Sequence, residues 1–330
     1  MLKQLVIEFL AVAVSSFFVT AILCHYIIPA LTKKKIGQSI REEGPKSHFS
    51  KAGTPTMGGI CFIIGMLITL LGVTAFYAYR SEQGKLIPLA LTMCLALANG
   101  LIGLLDDYRK LMKRQNEGLK AGEKFLLQCL VAALYLTVMG FSGQIDTALH
   151  IPFTDYMLEL GPGYYVGAMF FIVGLVNSVN LTDGIDGLAT SVTLAVTAFV
   201  TFVALNSLNS SMTLMAAALM GSLLAFLRKN RHVAKVFMGD TGSLFLGGAL
   251  AGVAFMMGDI LVMAIACGVF IFETVSVIIQ VASFKTFHKR VFLMTPIHHH
   301  FEHKQWSENK IVVVFSLVTL ALCAVAWFAM

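Results

Sequence analysis

Apolar residues gather along this chain in ten long blocks, near 4–30, 57–79, 86–105, 124–141, 164–182, 188–206, 211–227, 241–257, 260–282 and 311–330. Each is close to the ~20 residues that a helix needs to cross a bilayer. The pattern predicts an all-α polytopic membrane protein of about ten transmembrane helices. The first block begins almost at Met1 and outruns a signal-peptide core, with no small-residue cleavage pattern after it, so it reads as an uncleaved first span.

Composition agrees: 330 residues with 57% hydrophobic and 13% charged are too apolar for a soluble globular protein and too many for a single anchor. Cys24, Cys61, Cys94, Cys129, Cys267 and Cys323 fall singly inside apolar blocks without C-x-x-C or metal spacing, which makes them packing residues.

Charge gives the blocks a direction. The loops 31–56, 106–124, 228–240 and 283–310 carry 21 of the 24 Lys and Arg residues, and the opposite side holds only Lys3, Arg80 and Lys85. The positive-inside rule places the first group in the cytoplasm, so both termini are expected outside. Outward loops are short except 142–163, where Ile145, Ala148, Ile151 and Phe153 flank turn residues up to Gly161-Pro162-Gly163 and predict a small extracytoplasmic hairpin. From Ser283 to Trp306, Phe284, Phe287, Val291 and Met294 recur at helical spacing among Lys285, His288, Lys289 and Arg290. That spacing predicts an amphipathic segment along the cytoplasmic membrane surface, with a plain basic loop as the alternative. No repeat, soluble domain or low-complexity linker interrupts the chain, so residues 1–330 read as one integral membrane domain.

Four polar clusters fall on the basic side. Asp106 and Asp107 end the third block, where the helix dipole is already negative, so either the neighbouring Arg109 and Lys110 offset them or a cation or proton is handled there. In Asn177-x-x-Asn180-x-x-Asp183-Gly184-Ile185-Asp186-Gly187, amides and carboxylates recur every third residue, close together on a helix. The two asparagines either glue helices together or face an aqueous cavity. The glycines permit a tight turn that presents backbone amides to phosphate. An EF-hand is excluded by the ligand spacing. Phe237-Met238-Gly239-Asp240-Thr241-Gly242-Ser243 opens the eighth block at a helix N-terminus, where anions are favoured; Asp240 alone reads as a cap, and as a third acidic group on one face it becomes a metal ligand. The cluster His298-His299-His300 lies in a basic loop, and three consecutive histidines cannot all reach one zinc ion, so contact with phosphate or proton donation fits better. The loop from Lys46 through Lys51 and Thr56 to Gly59 offers lysines, hydroxyls and glycines for phosphate contact without Walker spacing.

Taken together, Asp-Asp-Tyr-Arg-Lys at 106–110, Asn-x-x-Asn-x-x-Asp-Gly-x-Asp-Gly-Leu at 177–188 and Phe-Met-Gly-Asp-Thr-Gly-Ser at 237–243 resemble the polyprenyl-phosphate N-acetylhexosamine-1-phosphate transferase superfamily. The runs at 45–59 and at 295–302, Thr-Pro-Ile-His-His-His-Phe-Glu, are similar to its muramoyl-pentapeptide branch. The resemblance covers nearly the whole chain and implies a multi-pass protein of the bacterial cytoplasmic membrane. It further implies a cytoplasmic active site, Mg²⁺ and a homodimer. The implied reaction takes UDP-N-acetylmuramoyl-pentapeptide and undecaprenyl phosphate to lipid I and UMP, within peptidoglycan synthesis, with no nucleic-acid partner.

By the same resemblance, Asp240 is the principal metal ligand, with Asn180, Asp106 and Asp107 close by, and Asp106 takes the proton of the lipid phosphate. Phe237 stacks on uracil, while Lys51, Asn230, Gly184, Ile185 and Asp186 frame the uridine. His298, His299 and His300 reach the diphosphate side, and Lys110 and Arg114 draw in phosphate. Thr56, Asn177 and Asp183 join them as substrate contacts, and His298 is counted with Asp106, Asp107 and Asp240 as catalytic. A covalent aspartyl-phosphate route stays open. The rival readings are a transferase of N-acetylglucosamine 1-phosphate to the same lipid and, from another class, a secondary transporter. Against transport, the acidic motifs cluster at one interface and only Asn99, Asn177, Asn180 and Glu273 penetrate the blocks appreciably.

Overall fold

The computed structural model describes residues 1–33, 53–79, 86–113 and 118–330. In chain order the elements are α1 (Leu2–Lys33), α2 (Gly59–Tyr79), α3 (Ile87–Lys113), α4 (Ala121–Phe141), β1 (Ala148–His150), β2 (Met157–Glu159), α5 (Gly163–Thr182), α6 (Leu188–Asn206), α7 (Ser210–Asn230), α8 (Gly239–Met257), α9 (Ile260–Ala266), α10 (Gly268–Phe287), α11 (Ile297–His303) and α12 (Glu308–Phe328). Ten of the helices are long and apolar enough to cross a membrane, which makes this a multi-pass membrane protein. Lipid offers no hydrogen bonds, so only segments that satisfy their own backbone can line it.

Two block ends differ from the hydropathy pattern. Helix α3 continues past residue 105 to Lys113, so Asp106 and Asp107 sit within the helix rather than after it. Arg109 and Lys110 in its last two turns complement the negative end of the dipole and let it continue. The ninth block is two helices that break at Cys267, and only α10 is long enough to span.

Helix α8 is the axis of the bundle. Of its most apolar window 83% is buried, against 22% for α1 and for α10, which identifies the latter two as peripheral. Its Gly- and Ala-rich sequence lets neighbouring backbones approach closely, and it packs on α2, α3 and α5. A Cβ on Gly242 would fall 2.9 Å from the Cα of Gly59 in α2. Helices α1, α10 and α12 turn Leu10, Phe18, Ile22, Ile278 and Leu317 outward, as a lipid-facing surface requires.

The hairpin expected in 142–163 is present: β1 and β2 pair antiparallel with Leu149 opposite Leu158. Phe153 donates its N–H to the carbonyl of Ala329 (3.1 Å), and His150 Nδ1 lies 2.6 Å from Asp259 Oδ2 ahead of α9. The C-terminus therefore lies at the hairpin's end, while the acidic motifs gather at the opposite one, where α4 and α8 begin. The segment 283–306 is not one amphipathic helix. Helix α10 ends at Phe287, His288 is left-handed (φ 53°), and an irregular stretch leads to α11. Gln280 clamps that stretch: its Oε1 accepts from the N–H groups of Val291 and Phe292, and its Nε2 donates to the carbonyl of Phe292. Pro296 disfavours helix at the preceding residue, so α11 can begin only after it. Phe284, Phe287 and Val291 nevertheless stay exposed.

Candidate active site

The acidic pair of α3 meets the N-terminus of α8. One oxygen from each of Asp106, Asp107 and Asp240 lies within 4.8 Å of the others. The two adjacent aspartates divide the work. Asp107 accepts from the N–H of Asp240 (3.2 Å) and from the N–H and hydroxyl of Thr241 (2.9 and 2.7 Å), so it satisfies the orphan amides of α8 from another helix. Asp106 accepts from the N–H of Leu119 (2.8 Å) and pairs with Lys110 (2.7 Å). Gly239, at φ 72°, makes this junction possible, since a Cβ there would lie 2.7 Å from Asp107 Oδ2 and 2.9 Å from Thr56 Oγ1.

Two lysines answer the charge of Asp240. Lys124 Nζ is 2.8 Å and Lys110 Nζ 3.1 Å from its Oδ2, while Asn180 donates to its Oδ1 (3.0 Å) and to the hydroxyl of Ser243 (2.8 Å). Lys124 also donates to Asn180 Oδ1 (3.3 Å). Sequence reading missed Lys124. Its one signal was a cation in the first turn of α4, where the helix dipole disfavours positive charge unless an acid compensates.

The other expected residues fall around this centre. Asn177, one turn deeper on α5, exchanges amide hydrogen bonds with Gln128 of α4 (2.7 and 3.4 Å), the helix-joining arrangement. Asp183 follows α5 and makes the turn with Gly184 and Ile185 into Asp186. Burial, then the charges of Asp240, Asp107 and Asp186, push the Asp183 carboxyl well above the usual range. Asp186 is held by the N–H of Ala234 (3.0 Å) and by His232 Nδ1 (3.2 Å), and its own N–H donates to Glu308 (3.1 Å). Asn230 bridges the Thr190 hydroxyl and the carbonyl of Val236, fixing the strand of chain that carries Phe237. Phe237 is half-buried, and its N–H and carbonyl pair with Pro55 and Gly58, so the Thr56 loop docks on the start of α8. Lys51 and Arg114 lie outside the described residues.

The three histidines take different positions. His298 is fully buried with Nδ1 3.1 Å from Glu273 Oε1, and its Nε2 abuts Gly184. The His299 ring lies tilted against the His298 ring (centroids 4.1 Å apart, planes at 56°), and His299 pairs with Glu302 (2.6 Å). His300 Nδ1 accepts from the N–H of Leu293 (3.1 Å), and burial lowers its basicity.

Three close carboxylates form an all-oxygen donor set that fits a hard divalent cation. Asp106 and Asp240 are the better donors, because helix amides and a hydroxyl already engage both oxygens of Asp107. A second group, Asp186, His232 and Glu308, gathers as closely, but backbone N–H groups hold it.

The glycosyl transferase family 4 model matches residues 89–258, from α3 through α8. A phospho-N-acetylmuramoyl-pentapeptide-transferase signature matches residues 51–63, the loop that docks on α8. Phospho-N-acetylmuramoyl-pentapeptide-transferase of Clostridium perfringens (strain SM101) is 45% identical over 314 residues, 95% of this chain and 94% of that protein. Its counterpart in Geobacillus thermodenitrificans is 45% identical over 96% of this chain and 95% of its own. The Bacillus velezensis protein of the same name is 39% identical over 98% and 97%. The chain belongs to the phospho-N-acetylmuramoyl-pentapeptide transferase family. Membership makes it a membrane-embedded transferase of peptidoglycan synthesis, and the transporter reading falls away. The family model takes in Asp106, Asp107, Lys110, Lys124, Asn180 and Asp240, so the cluster of carboxylates and lysines lies inside the matched region.

Proposed function

We propose that the chain transfers phospho-N-acetylmuramoyl-pentapeptide from UDP-N-acetylmuramoyl-pentapeptide to undecaprenyl phosphate, forming lipid I and releasing UMP, on the cytoplasmic face of a bacterial inner membrane. The observation that carries this reading is the meeting of Asp106, Asp107 and Asp240 with Lys110 and Lys124 at the basic end of the bundle. Family membership and the charge distribution of the loops support it.

The reaction joins two anions. An oxygen of the lipid phosphate bonds to the sugar-bearing phosphorus, the bond from that phosphorus to the UMP oxygen breaks, and UMP leaves with the electron pair. Lys110 and Lys124 neutralise charge at the reacting phosphates, and both can turn from Asp240 towards an incoming phosphate because their stems are flexible. Asp240, with Asn180 and the Asp106/Asp107 pair, would hold Mg²⁺, which supplies Lewis-acid neutralisation of phosphate oxygens. Asp106 removes any remaining proton from the lipid phosphate; with a second phosphate pKa of about 6 that proton is mostly absent at neutral pH, so positioning outweighs base catalysis. Phe237 stacks on uracil, and Lys51, Thr56, Asn230, Gly184, Ile185 and Asp186 frame the uridine. Arg114 helps to gather phosphate, Asn177 and Asp183 line the same side, and His298, His299 and His300 face the diphosphate. The active assembly is a homodimer.

Purified protein given UDP-N-acetylmuramoyl-pentapeptide, undecaprenyl phosphate and Mg²⁺ should release UMP and form lipid I, and EDTA should stop it. Faster UMP release from UDP-N-acetylglucosamine would favour the rival transferase instead.

A further inference from the structure

We propose that Glu273 is a positioning residue that acts through His298, holding its Nδ1 so that Nε2 is turned across Gly184 into the site; this rests on the role given to His298 above. Helix α10 is mostly lipid-facing, and its buried stripe is Val269, Phe270, Glu273 and Ser276. Glu273 lies in that stripe, fully buried. A carboxyl group so placed is costly unless it is paired, and one inside a membrane segment usually serves a site.

Its partner is the first turn of α11. Oε1 lies 3.1 Å from His298 Nδ1, and Oε2 accepts a long bond from the His298 backbone N–H (3.4 Å). The ring is therefore fixed by its edge. The ring of His299, tilted 56° to it with centroids 4.1 Å apart, packs against it. The remaining nitrogen, Nε2, is buried without a protein partner and points at Gly184, where a Cβ would collide with it. An unpartnered buried nitrogen is expensive for a residue whose role is only packing. With the proton held on Nδ1, Nε2 is left free to take up a proton and, once protonated, to donate to a phosphate oxygen, which is how a carboxylate commonly fixes the tautomer of a working imidazole.

The pairing is tested by a double-mutant cycle on the full-length protein with Glu273→Gln and His298→Ala. Glu273→Gln should lower kcat about tenfold or more, with KM for the UDP-linked substrate changed less than about twofold. In the His298→Ala background it should cost less than a further twofold, because a residue acting through another has nothing left to act on. Wild-type kcat in Glu273→Gln, or losses that multiply in the double variant, would overturn the proposal, the second result marking Glu273 as an independent structural residue. Full turnover by His298→Ala would overturn both this inference and the role of His298 on which it rests. If Glu273→Gln does not yield folded protein, Glu273→Asp, which keeps the charge but withdraws it from Nδ1 by one methylene, carries the same cycle with the same two outcomes.

Discussion

Among the described residues, two acidic clusters sit at the basic end of this bundle, and they are countered there by different means. Asp106, Asp107 and Asp240 face the ammonium groups of Lys110 and Lys124. Among the described residues, Asp186 and Glu308 face backbone N–H groups and one imidazole, His232. Backbone donors cannot move, so the second cluster fixes the geometry of the turn 183–187. Lysine stems can swing away, so the first can exchange an internal partner for a phosphate or a cation without unfolding anything. Under the proposed function, charge on mobile partners belongs to the reacting centre and charge on fixed partners to its frame. Asp107 shows the distinction within one dipeptide, since the amides of α8 hold it while its neighbour Asp106 pairs with Lys110.

Substitutions can break or sharpen this contrast. Lys124→Ala should lower kcat about a hundredfold, the scale of losing one preorganised charge at a reacting group, with Lys124→Arg recovering part of it; unchanged turnover in steady-state assays would erase the difference between the clusters. Phe237→Ala, at the edge of the frame, should weaken UMP binding about tenfold, as expected for loss of one base–aromatic stack, and leave the lipid substrate less affected; equal UMP affinity by titration would refute the stacking role. Glu308→Ala removes the acceptor of the Asp186 N–H and should act mainly on stability, lowering Tm by about 2–4 °C for each kcal/mol lost while cutting turnover less than about tenfold. Thermal melts in detergent check it.

The smallest effect is a pH dependence. A carboxyl raised in the folded state stabilises below its unfolded value, about 3.9, and that contribution disappears as pH rises towards the folded value. Asp183 is such a group. Asp183→Asn, neutral throughout, should therefore melt above the wild type at pH 8, with the gap closing towards pH 5. A gap that widens on acidification would contradict the upward shift of the Asp183 carboxyl.

Hydropathy made the ten spans and the hairpin legible, because lipid exposure and turn chemistry are local properties of sequence. It could not show where α3 stops, since Asp106 and Asp107 read as polar whether or not the helix carries on beneath them. Nor could it see the break at Cys267, which lies within an unbroken apolar run. The acidic members of the site were legible as motifs. Their partners were not: Asn180 reaches Asp240 and Lys124 reaches it from a third helix, contacts set by packing around the small residues of α8 rather than by spacing along the chain. Glu273 stood out as a carboxylate inside a span, but its pairing with His298 needed the fold.

The central claim is that Asp240 stands at the point where phosphate changes hands. The most direct test is UMP release by folded, purified Asp240→Asn with both substrates and Mg²⁺ in excess. The account predicts a fall of about a thousandfold or more, with a melting curve that still reports a folded protein; turnover within about tenfold of the wild type would contradict it.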